Sequence, residues 1–283
     1  MGRLDGKVAF ITGAARGQGR SHAVRLAAEG ADIIAVDICE QIASVPYPLA
    51  TPDDLAATVK EVEALGRRIV AAQVDVRDRG KLRAALDAGV TELGRLDVVC
   101  ANAGICPLTD ETLCSSFVDA MDVDLGGVQN TVAVSLPHLG AGASIIVTGS
   151  TAGMIKGTTD AMGASGGVGY SLAKQLVAKY VEVLALQLAP HSVRLNAIHP
   201  TNVNTTLLHN DNVYRAFRRD LENPTRADAE LAFPVMQAMP IPYIEPEDVS
   251  GLVAYLASDD SRYMTGLNLR VDAGAMLKAP PSF

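Results

Sequence analysis

The sequence of 283 residues contains no tryptophan, and its five Phe and seven Tyr leave few aromatic rings on which nucleobases could stack. It also lacks a basic excess, because 24 Lys and Arg stand against 32 Asp and Glu and give a net charge of −8. A polyanion would meet a repulsive average field, so nucleic acid is not expected as a partner. No uninterrupted apolar run reaches the roughly 18 residues of a membrane span, so no membrane association is expected either.

Disulfides and metal sites are not expected from the cysteines. Cys39, Cys100, Cys106 and Cys114 are irregularly spaced and form no C-x-x-C pair, which favours reduced, mostly buried thiols. Residues 1–12 carry charges before a single short apolar run and lack the longer apolar segment of a signal peptide. We therefore expect a cytoplasmic protein without a bound metal.

The chain does contain a regular alternation of continuous β-branched runs and segments with helical periodicity. Hydrophobic residues make up 48% of it and glycines number 25, as in folded proteins with a large core and many turns. Helical periodicity fills the intervals between continuous β-branched runs, which are Val8–Thr12, Asp32–Asp37, Ile69–Asp75, Val98–Asn102, Ser144–Thr148, Val193–His199 and Leu267–Val271. Such runs are typical of buried parallel strands. The alternation predicts an α/β fold, a doubly wound Rossmann-type sheet of seven mostly parallel strands with helices on both faces, in a single domain over residues 1–283.

Two segments interrupt this alternation. Residues 38–50, which include Val45-Pro46-Tyr47-Pro48, are longer than an ordinary βα loop of about two to six residues. Residues 201–243 contain four prolines and follow the carboxyl end of a predicted strand, where ligands of such sheets bind. The first segment is predicted to be an inserted loop near a cofactor and the second a substrate lid.

A dinucleotide site is predicted at the first strand. The turn Thr12-Gly13-Ala14-Ala15-Arg16-Gly17-Gln18-Gly19 lies between a predicted strand and a helix, where glycines let backbone N–H groups approach a pyrophosphate. Asp37 ends the second strand about twenty residues further on, and its carboxylate suits the ribose hydroxyls of NAD but repels the extra phosphate of NADP. NAD is therefore favoured, although Arg16 offers a charge that could pair with that phosphate. The predicted contacts at this end are Gly13, Arg16, Gly17, Gln18, Gly19, Asp37, Asp75, Val76, Asn102, Ala103 and Gly104.

A phenol and an ammonium are predicted to share one face of a later helix. Tyr170 and Lys174 stand at i and i+4 in Tyr170-Ser171-Leu172-Ala173-Lys174. Together with the glycine turn, Asn102-Ala103-Gly104, Ser150 and Pro200, and in this order, they resemble the short-chain dehydrogenase/reductase family from Lys7 to about Gly274. The resemblance implies that Tyr170 is a general base, that Ser150 bonds the substrate oxygen, and that Lys174 holds the nicotinamide ribose.

The chemistry of these groups agrees with the implied roles. A phenol with a pKa near 10 serves as a base near neutral pH only if its anion is stabilised by roughly 4 kcal/mol. A neighbouring Lys174 ammonium and a nicotinamide cation are expected to supply this stabilisation in a partly desolvated site. The reaction implied is hydride transfer between an alcohol carbon and the nicotinamide.

Three departures from the family pattern stand out. Asp124 occupies a helix position that often holds Asn, where a carboxylate would stabilise the Lys174 charge or accept a hydrogen bond from its water, so a proton-relay role competes with a structural one. The interval from Ser150 to Tyr170 is longer than usual and includes the glycine-rich Gly157–Gly169. A Pro-Thr pair replaces the usual Pro-Gly, and the contacts expected there are Pro200, Thr201, Val203 and Thr205.

Several strings resemble one branch of the family, the mycofactocin-coupled enzymes often labelled carveol dehydrogenases. They include Gly17–Ala23, the insertion around Val45–Ala50 and His199–Thr205. This resemblance implies a hydrophobic, terpenoid-like secondary alcohol or ketone as substrate and NAD held tightly beneath the insertion. It also implies mycofactocin as the electron acceptor and a homotetramer. For His22 and His199 a packing role is favoured over a catalytic one.

Other functions remain open from the sequence. Within the same chemistry, the protein could reduce 3-oxoacyl thioesters, for which Arg215, Arg218 and Arg219 offer a basic rim, or oxidise sugars or steroids. A different class is a non-catalytic sensor that binds a dinucleotide to report its redox state. The intact pair Tyr170 and Lys174 argues against the sensor.

Overall fold

A seven-stranded parallel sheet in the order β3-β2-β1-β4-β5-β6-β7 forms the centre of the computed structural model, which describes residues 2–108, 114–155 and 165–278. Every strand pair is parallel, and strands β1, β2 and β6 are buried along their whole length. The strands are β1 Val8–Thr12, β2 Asp32–Asp37, β3 Ile69–Gln73, β4 Leu96–Ala101, β5 Leu139–Thr148, β6 Arg194–Pro200 and β7 Asn268–Val271.

Helices cover both faces of the sheet. In the described residues they are α1 Gly17–Ala28, α2 Pro52–Ala64, α3 Arg79–Leu93, α4 Cys114–Met121, α5 Val128–Ser135, α6 Ser165–Leu188, α7 Asp211–Phe217, α8 Arg226–Ala232, α9 Pro246–Ala257 and α10 Ala275–Lys278. A π-helical segment, Asp122–Gly127, joins α4 to α5. One core cluster contains Phe10, Val99 and Ile145, and the other contains Ile11, Cys100 and Ile198. Neighbouring residues of one strand thus pack on opposite faces, as a two-sided sheet requires.

The predicted fold class is confirmed, and the differences lie at element ends. Strand β3 was predicted to reach Asp75 but ends at Gln73, because the Asp75 carboxylate accepts the Arg77 N–H and begins a turn. Strand β5 begins at Leu139, five residues before the predicted Ser144, because Leu139 pairs with Leu96 across an irregularity in the β4 register. Local backbone pairing, which a hydrophobic run does not encode, decides both ends.

The two segments predicted to be an inserted loop and a lid differ in secondary structure. Residues 38–50 contain neither helix nor strand, and residues 201–243 carry the two short helices α7 and α8. Residues 156–164 of the predicted glycine-rich segment lie outside the described residues, whereas residues 165–169 form the first turn of α6. Within the described ranges, no helix has the length and apolar character to cross a membrane.

Candidate active site

The glycine turn leaves the first turn of α1 open towards a cleft. Gly13 and Gly17 have φ angles of +67° and +54°, which favour glycine, and a side chain on Gly19 would collide with the Gly13 carbonyl. The N-cap residue Arg16 makes no side-chain capping bond, and the first turn carries no acidic residue. The positive end of the helix and its N–H groups are therefore available to an anion, and the turn fits a pyrophosphate.

Asp37 lies beside this turn at the end of β2. Its carboxylate is buried and accepts N–H groups of Ala15, at 2.9 Å, and Cys39, at 3.2 Å. Burial raises the pKa of Asp37, and these hydrogen bonds together with the Arg16 charge oppose the rise. Arg16 itself donates to the Pro48 carbonyl at 2.6 Å, so its guanidinium holds the inserted loop.

Asn102 ties together three strand ends that form the floor of the cleft. Its side-chain amide donates to the Thr12 carbonyl and accepts from the Thr148 hydroxyl, both at 3.1 Å, and its N–H donates to the Thr12 hydroxyl. Ala103 and Gly104 follow directly on the same floor. The Asp75 carboxylate also borders the cleft but is already paired with Arg77 at 2.7 Å, so its hydrogen-bonding capacity is partly used within the protein.

The residues predicted to take part in proton transfer lie together at the other end of the cleft. Tyr170 and Lys174 lie on one face of α6, with the lysine Nζ 5.6 Å from the centre of the phenol ring. Tyr170 shares a side-chain hydrogen bond with Ser150, and the Ser150 Oγ also accepts the Ala152 N–H at 3.1 Å. This is the arrangement that the sequence predicts for a base, its cationic neighbour and an oxygen-binding hydroxyl.

Asp124 and Lys174 form a buried ion pair. Their Oδ1 and Nζ atoms are 2.9 Å apart, with 0% and 4% of the two side chains exposed. Lys174 also donates to the Thr148 carbonyl at 2.9 Å, and the second Asp124 oxygen accepts the Ile105 N–H at 3.2 Å. The ammonium is thus held by a carboxylate and a carbonyl together.

Burial raises the pKa of Tyr170 well above its usual value, and the nearby Cys106 and Asp124 add to the rise. The hydrogen bond from Ser150 opposes this shift. Stabilisation of the phenolate by Lys174 and a nicotinamide cation therefore stays a prediction. In the protein alone, the Asp124 carboxylate is in direct contact with the lysine charge that was expected to act on Tyr170.

The inserted loop reaches the catalytic end of the cleft. The Tyr47 hydroxyl accepts the Cys106 N–H at 2.9 Å, and both side chains are buried. Ser44 donates to Asp119 at 2.7 Å and so anchors the loop to α4. Within the loop, the Gln41 side chain donates to the carbonyls of Ile42, Val45 and Tyr47. The insertion spans the cleft from Arg16 at one end to Cys106 at the other.

The lid supplies an apolar wall above Tyr170. Residues of the predicted lid, 201–243, and of the loop after β4 form one apolar cluster. In this cluster Phe217 packs edge-on against the fully buried Phe233, with 4.8 Å between the ring centres. Asn212 donates to the Leu108 carbonyl and joins α7 to that loop. Of the three arginines of the predicted basic rim, Arg218 is paired with Asp220 at 2.8 Å, and Arg219 lines the cleft.

Both histidines singled out by the sequence have packing partners. His22 is fully buried, its Nδ1 lies 2.7 Å from the Ser250 hydroxyl, and burial lowers its pKa to about 3. His199 accepts the Ser150 N–H at Nδ1 and contacts Asn268 through Nε2 at 2.9 Å. Burial lowers the pKa of His199 as well. Neither imidazole is placed as a base, and His199 fixes the backbone that carries Ser150.

Comparison with known proteins supports the family that the sequence motifs predict. A family model described as enoyl-(acyl carrier protein) reductase matches residues 13–276. A (−)-trans-carveol dehydrogenase of Rhodococcus erythropolis is 47% identical, over 98% of this chain and 100% of the relative. The chain belongs to the short-chain dehydrogenase/reductase family.

Solved structures of this short-chain dehydrogenase/reductase family match the whole fold. The crystal structure of carveol dehydrogenase from Mycobacterium avium in complex with NAD has a TM-score of 0.92 at 47% identity and covers 98% of this chain and 100% of that chain. A short-chain dehydrogenase from Mycobacterium paratuberculosis bound to NAD has a TM-score of 0.86 at 43% identity, with the same coverage. The family predicted from the sequence motifs is therefore confirmed.

In this short-chain dehydrogenase/reductase, all predicted site residues line one cleft of about 640 Å³. They come from widely separated parts of the sequence. Val76 follows β3, and Pro200, Thr201, Val203 and Thr205 lie at the end of β6 or after it. The sequence assigned no role to Tyr47 or Cys106, although both line the cleft. The unusual length of residues 38–50 was the only signal for Tyr47, and a buried cysteine gives no signal of its own.

Proposed function

We propose that this protein is an NAD-dependent dehydrogenase that interconverts a hydrophobic secondary alcohol and its ketone. The observation that carries the proposal is that Tyr170, Ser150 and Lys174 share one cleft with the glycine turn of α1. When bound, NAD accepts a hydride from the alcohol carbon. Tyr170 takes the hydroxyl proton in that direction and returns it in the other, while the Ser150 hydroxyl bonds the substrate oxygen.

The cofactor is NAD, which this chain would hold at the ends of strands β1, β2, β3, β4 and β6. The first turn of α1 takes the pyrophosphate, Asp37 takes the adenosine ribose, and Lys174 takes the nicotinamide ribose. Val76 and Asn102–Gly104 border the adenosine side, and Pro200, Thr201, Val203 and Thr205 border the nicotinamide side. The NAD complexes of the two structural relatives support this assignment.

Asp37→Asn is expected to reduce the preference for NAD over NADP by roughly tenfold or more, because it removes a charge-assisted hydrogen bond worth about 1.5–3 kcal/mol and the repulsion of a phosphate. The amide oxygen can accept only one of the two backbone N–H groups that the carboxylate accepts, so thermal unfolding is measured alongside to show that the turn is retained. The measurement is the ratio of dissociation constants for the two dinucleotides on nucleotide-free protein. Asp53→Asn, an exposed carboxylate at the start of α2, is the control and should leave the ratio unchanged. An unaltered ratio in Asp37→Asn would remove Asp37 from the ribose site.

The substrate is an apolar secondary alcohol of the size of a monoterpene. The catalytic end is lined by aliphatic and aromatic side chains of the lid and the loop after β4, among them Leu108, Leu208, Val213 and Phe217. An apolar pocket rewards hydrophobic shape and provides few partners for a sugar. The names of the carveol dehydrogenase relatives support this substrate class.

Carveol is the direct test. The purified protein with NAD should produce the ketone and NADH, whereas a sugar alcohol of similar size should give no product. The ketone is detected by mass spectrometry and NADH by absorbance. Absence of ketone from carveol and from related cyclic secondary alcohols, in protein with bound NAD, would refute the proposal.

The inserted loop would retain the cofactor, and in the direction of alcohol oxidation mycofactocin would accept two electrons and a proton from the retained NADH. Arg16, Ser44 and Tyr47 fix this loop across the cleft through hydrogen bonds of 2.6, 2.7 and 2.9 Å. Opening the cleft requires these bonds to break, which slows release of the dinucleotide. A retained NADH needs an electron acceptor that comes to it, and a small redox cofactor derived from a peptide meets that need.

Tyr47→Phe is expected to accelerate release of NAD by up to about tenfold, since it removes one buried hydrogen bond worth about 0.5–1.5 kcal/mol and keeps the ring. Native mass spectrometry over time, with labelled NAD in excess, measures the exchange. Tyr180→Phe, a partly buried tyrosine of α6 outside the cleft, is the matched control. Equal exchange rates in wild type and Tyr47→Phe would show that the loop bond does not retain the cofactor.

The same proposal extends to assembly and location. Val118 on α4 and Val183 and Leu186 on α6 are 50%, 51% and 78% exposed, and apolar side chains gathered on packed helices are typical of subunit interfaces. This surface supports a homotetramer. The four cysteines are all unpaired, which suits the reducing cytoplasm.

A further inference from the structure

The ion pair between Asp124 and Lys174 is built into the backbone around it. The π-helical segment Asp122–Gly127 widens the helix between α4 and α5, and the fully buried Asp124 projects from it. A side chain on Gly104 would stand 2.6 Å from the Asp124 Oδ1 and 3.4 Å from the Lys174 Nζ. The backbone of Gly104 in the floor of the cleft therefore lies close to both charged groups, which restricts their separation.

The charges of this pair cancel at short range. A lone ammonium would act on Tyr170 as a full positive charge. Because the Lys174 ammonium lies 2.9 Å from the Asp124 carboxylate, the two together act on Tyr170 as a dipole, whose field is weaker. Because both side chains are almost fully buried, water screens the cancellation little. The part of the phenolate stabilisation that Lys174 supplies is correspondingly small.

The other groups around Tyr170 do not replace that stabilisation. Several elements around the phenol contribute a titratable or polar group: Lys174 from α6, Asp124 from the π-helical segment, Cys106 from the loop after β4, Tyr47 from the insertion, and Ser150 from the loop after β5. Residues 201–243 also pack against Tyr170, through the cluster that contains Tyr214. Burial raises the pKa of the Cys106 thiol and of the Tyr47 phenol, so both stay neutral. The Asp124 carboxylate opposes a phenolate, whereas the Ser150 hydrogen bond favours one. Burial of the Tyr170 phenol acts in the same direction as Asp124.

We propose that Asp124 is a positioning residue whose ion pair with Lys174 keeps Tyr170 protonated at neutral pH, so that this enzyme works best as a ketone reductase there and oxidises alcohols mainly at alkaline pH. The inference rests on the proposed function. A protonated phenol is the form that donates a proton to a ketone, and the phenolate is the form that accepts one from an alcohol. Asp124 touches Lys174 and neither reacting atom, so it acts through the lysine charge.

The expected pH dependence follows from the sign of the shift. Because the phenol is held protonated, kcat/KM for alcohol oxidation rises with pH until Tyr170 is ionised, and kcat/KM for ketone reduction falls over the same interval. Neutralising Asp124 leaves the Lys174 charge unbalanced and stabilises the phenolate, so both profiles move to lower pH. An unbalanced opposite charge within about 4–6 Å shifts a pKa by about 1–3, and the Lys174 Nζ lies 5.6 Å from the centre of the Tyr170 ring, so the midpoint should fall by about one pH unit or more.

Asp124→Asn is the decisive variant, because the amide keeps the shape of the side chain and one oxygen that can accept the Ile105 N–H. It also leaves the buried Lys174 ammonium without its carboxylate, so the free energy of unfolding is measured on the same protein. Below the midpoint, alcohol oxidation should become about tenfold faster for each pH unit of the shift. The ionisation of Tyr170 is measured separately, without substrate, from the tyrosinate absorbance that is lost in Tyr170→Phe on each background. This titration also decides the inference if the protein proves inactive with alcohols, so that failure of the proposed function is recognised on its own.

Two further variants of the protein, a control and an alternative substitution, complete the experiment. Asp122→Asn removes an exposed carboxylate from the same segment and should leave both profiles at their wild-type midpoints. Asp124→Ser provides a smaller neutral side chain if the amide impairs folding, which thermal unfolding and NAD binding report. A Tyr170 midpoint that is unchanged or raised in folded Asp124→Asn or Asp124→Ser would overturn the proposal. Slower turnover with an unchanged midpoint would do the same and would indicate a proton relay through Asp124.

Discussion

Tyr170→Phe is expected to lose turnover in both directions by roughly 10²–10⁴-fold, the usual contribution of a general acid or base. The change removes only the phenolic oxygen and its hydrogen bond with Ser150, and the ring continues to pack against the lid cluster. Dinucleotide binding and the melting temperature should therefore stay close to those of the wild type. The measurements are ketone formation, NAD binding by fluorescence, and thermal unfolding on one preparation.

The comparison variant for this experiment is Tyr255→Phe, which removes a phenolic oxygen on α9 outside the cleft. Full activity in Tyr255→Phe and its loss in Tyr170→Phe assign the chemistry to the one hydroxyl. If Tyr170→Phe keeps wild-type turnover, the assigned base is wrong. If the wild type binds NAD but turns over no alcohol or ketone, a redox sensor becomes the better hypothesis.

Lys174→Met is expected to lose turnover and also to destabilise the fold. Removal of one partner of a buried ion pair typically costs about 3–5 kcal/mol, because the remaining charge stays buried without compensation. That charge is the Asp124 carboxylate, whose pKa is raised by burial even with Lys174 present. The cost is the loss in free energy of unfolding relative to wild type, measured by denaturant unfolding.

The pH dependence of this loss identifies its cause. Without Lys174, the folded-state pKa of Asp124 lies further above its unfolded value, so the protonated carboxyl is tolerated at acidic pH and stability is lost as the pH rises through the folded pKa. Lys174→Met should therefore be closest to wild type in stability at low pH. The double variant Lys174→Met with Asp124→Asn should recover most of the stability at neutral pH but none of the turnover. A double variant as unstable as the single one would mean that the cost comes from packing.

The parts of the site that follow from short spacings were predictable from the sequence. The glycine turn, Asp37 at the end of the next strand, and the i, i+4 pair Tyr170 and Lys174 all lie where local patterns place them, because strands and helices have fixed periods. Parallel strands then bring their carboxyl ends to one edge, and this brings Ser150 and Asn102 into the same cleft.

The parts that depend on long-range packing were not predictable. The sequence indicated that Asp124 was unusual, but its direct contact with Lys174 depends on a π-helical turn and on the space above Gly104. The path of residues 38–50 was likewise hidden, since a bond from Tyr47 to the backbone of Cys106 joins segments that are 59 residues apart. This is why the carboxylate that balances the Lys174 charge beside Tyr170 could not be placed from the sequence.

The hydrogen bond between the Tyr47 hydroxyl and the Cys106 backbone also couples substrate binding to release of the dinucleotide. Cys106 belongs to the apolar cluster at the catalytic end of the cleft, and Tyr47 belongs to the inserted loop that we propose retains the dinucleotide. Opening of the inserted loop would expose the Cys106 amide and loosen that cluster, and an alcohol packed against the cluster would resist this movement. Substrate and cofactor should therefore hold each other in place, and the dinucleotide should leave most readily when the pocket is empty.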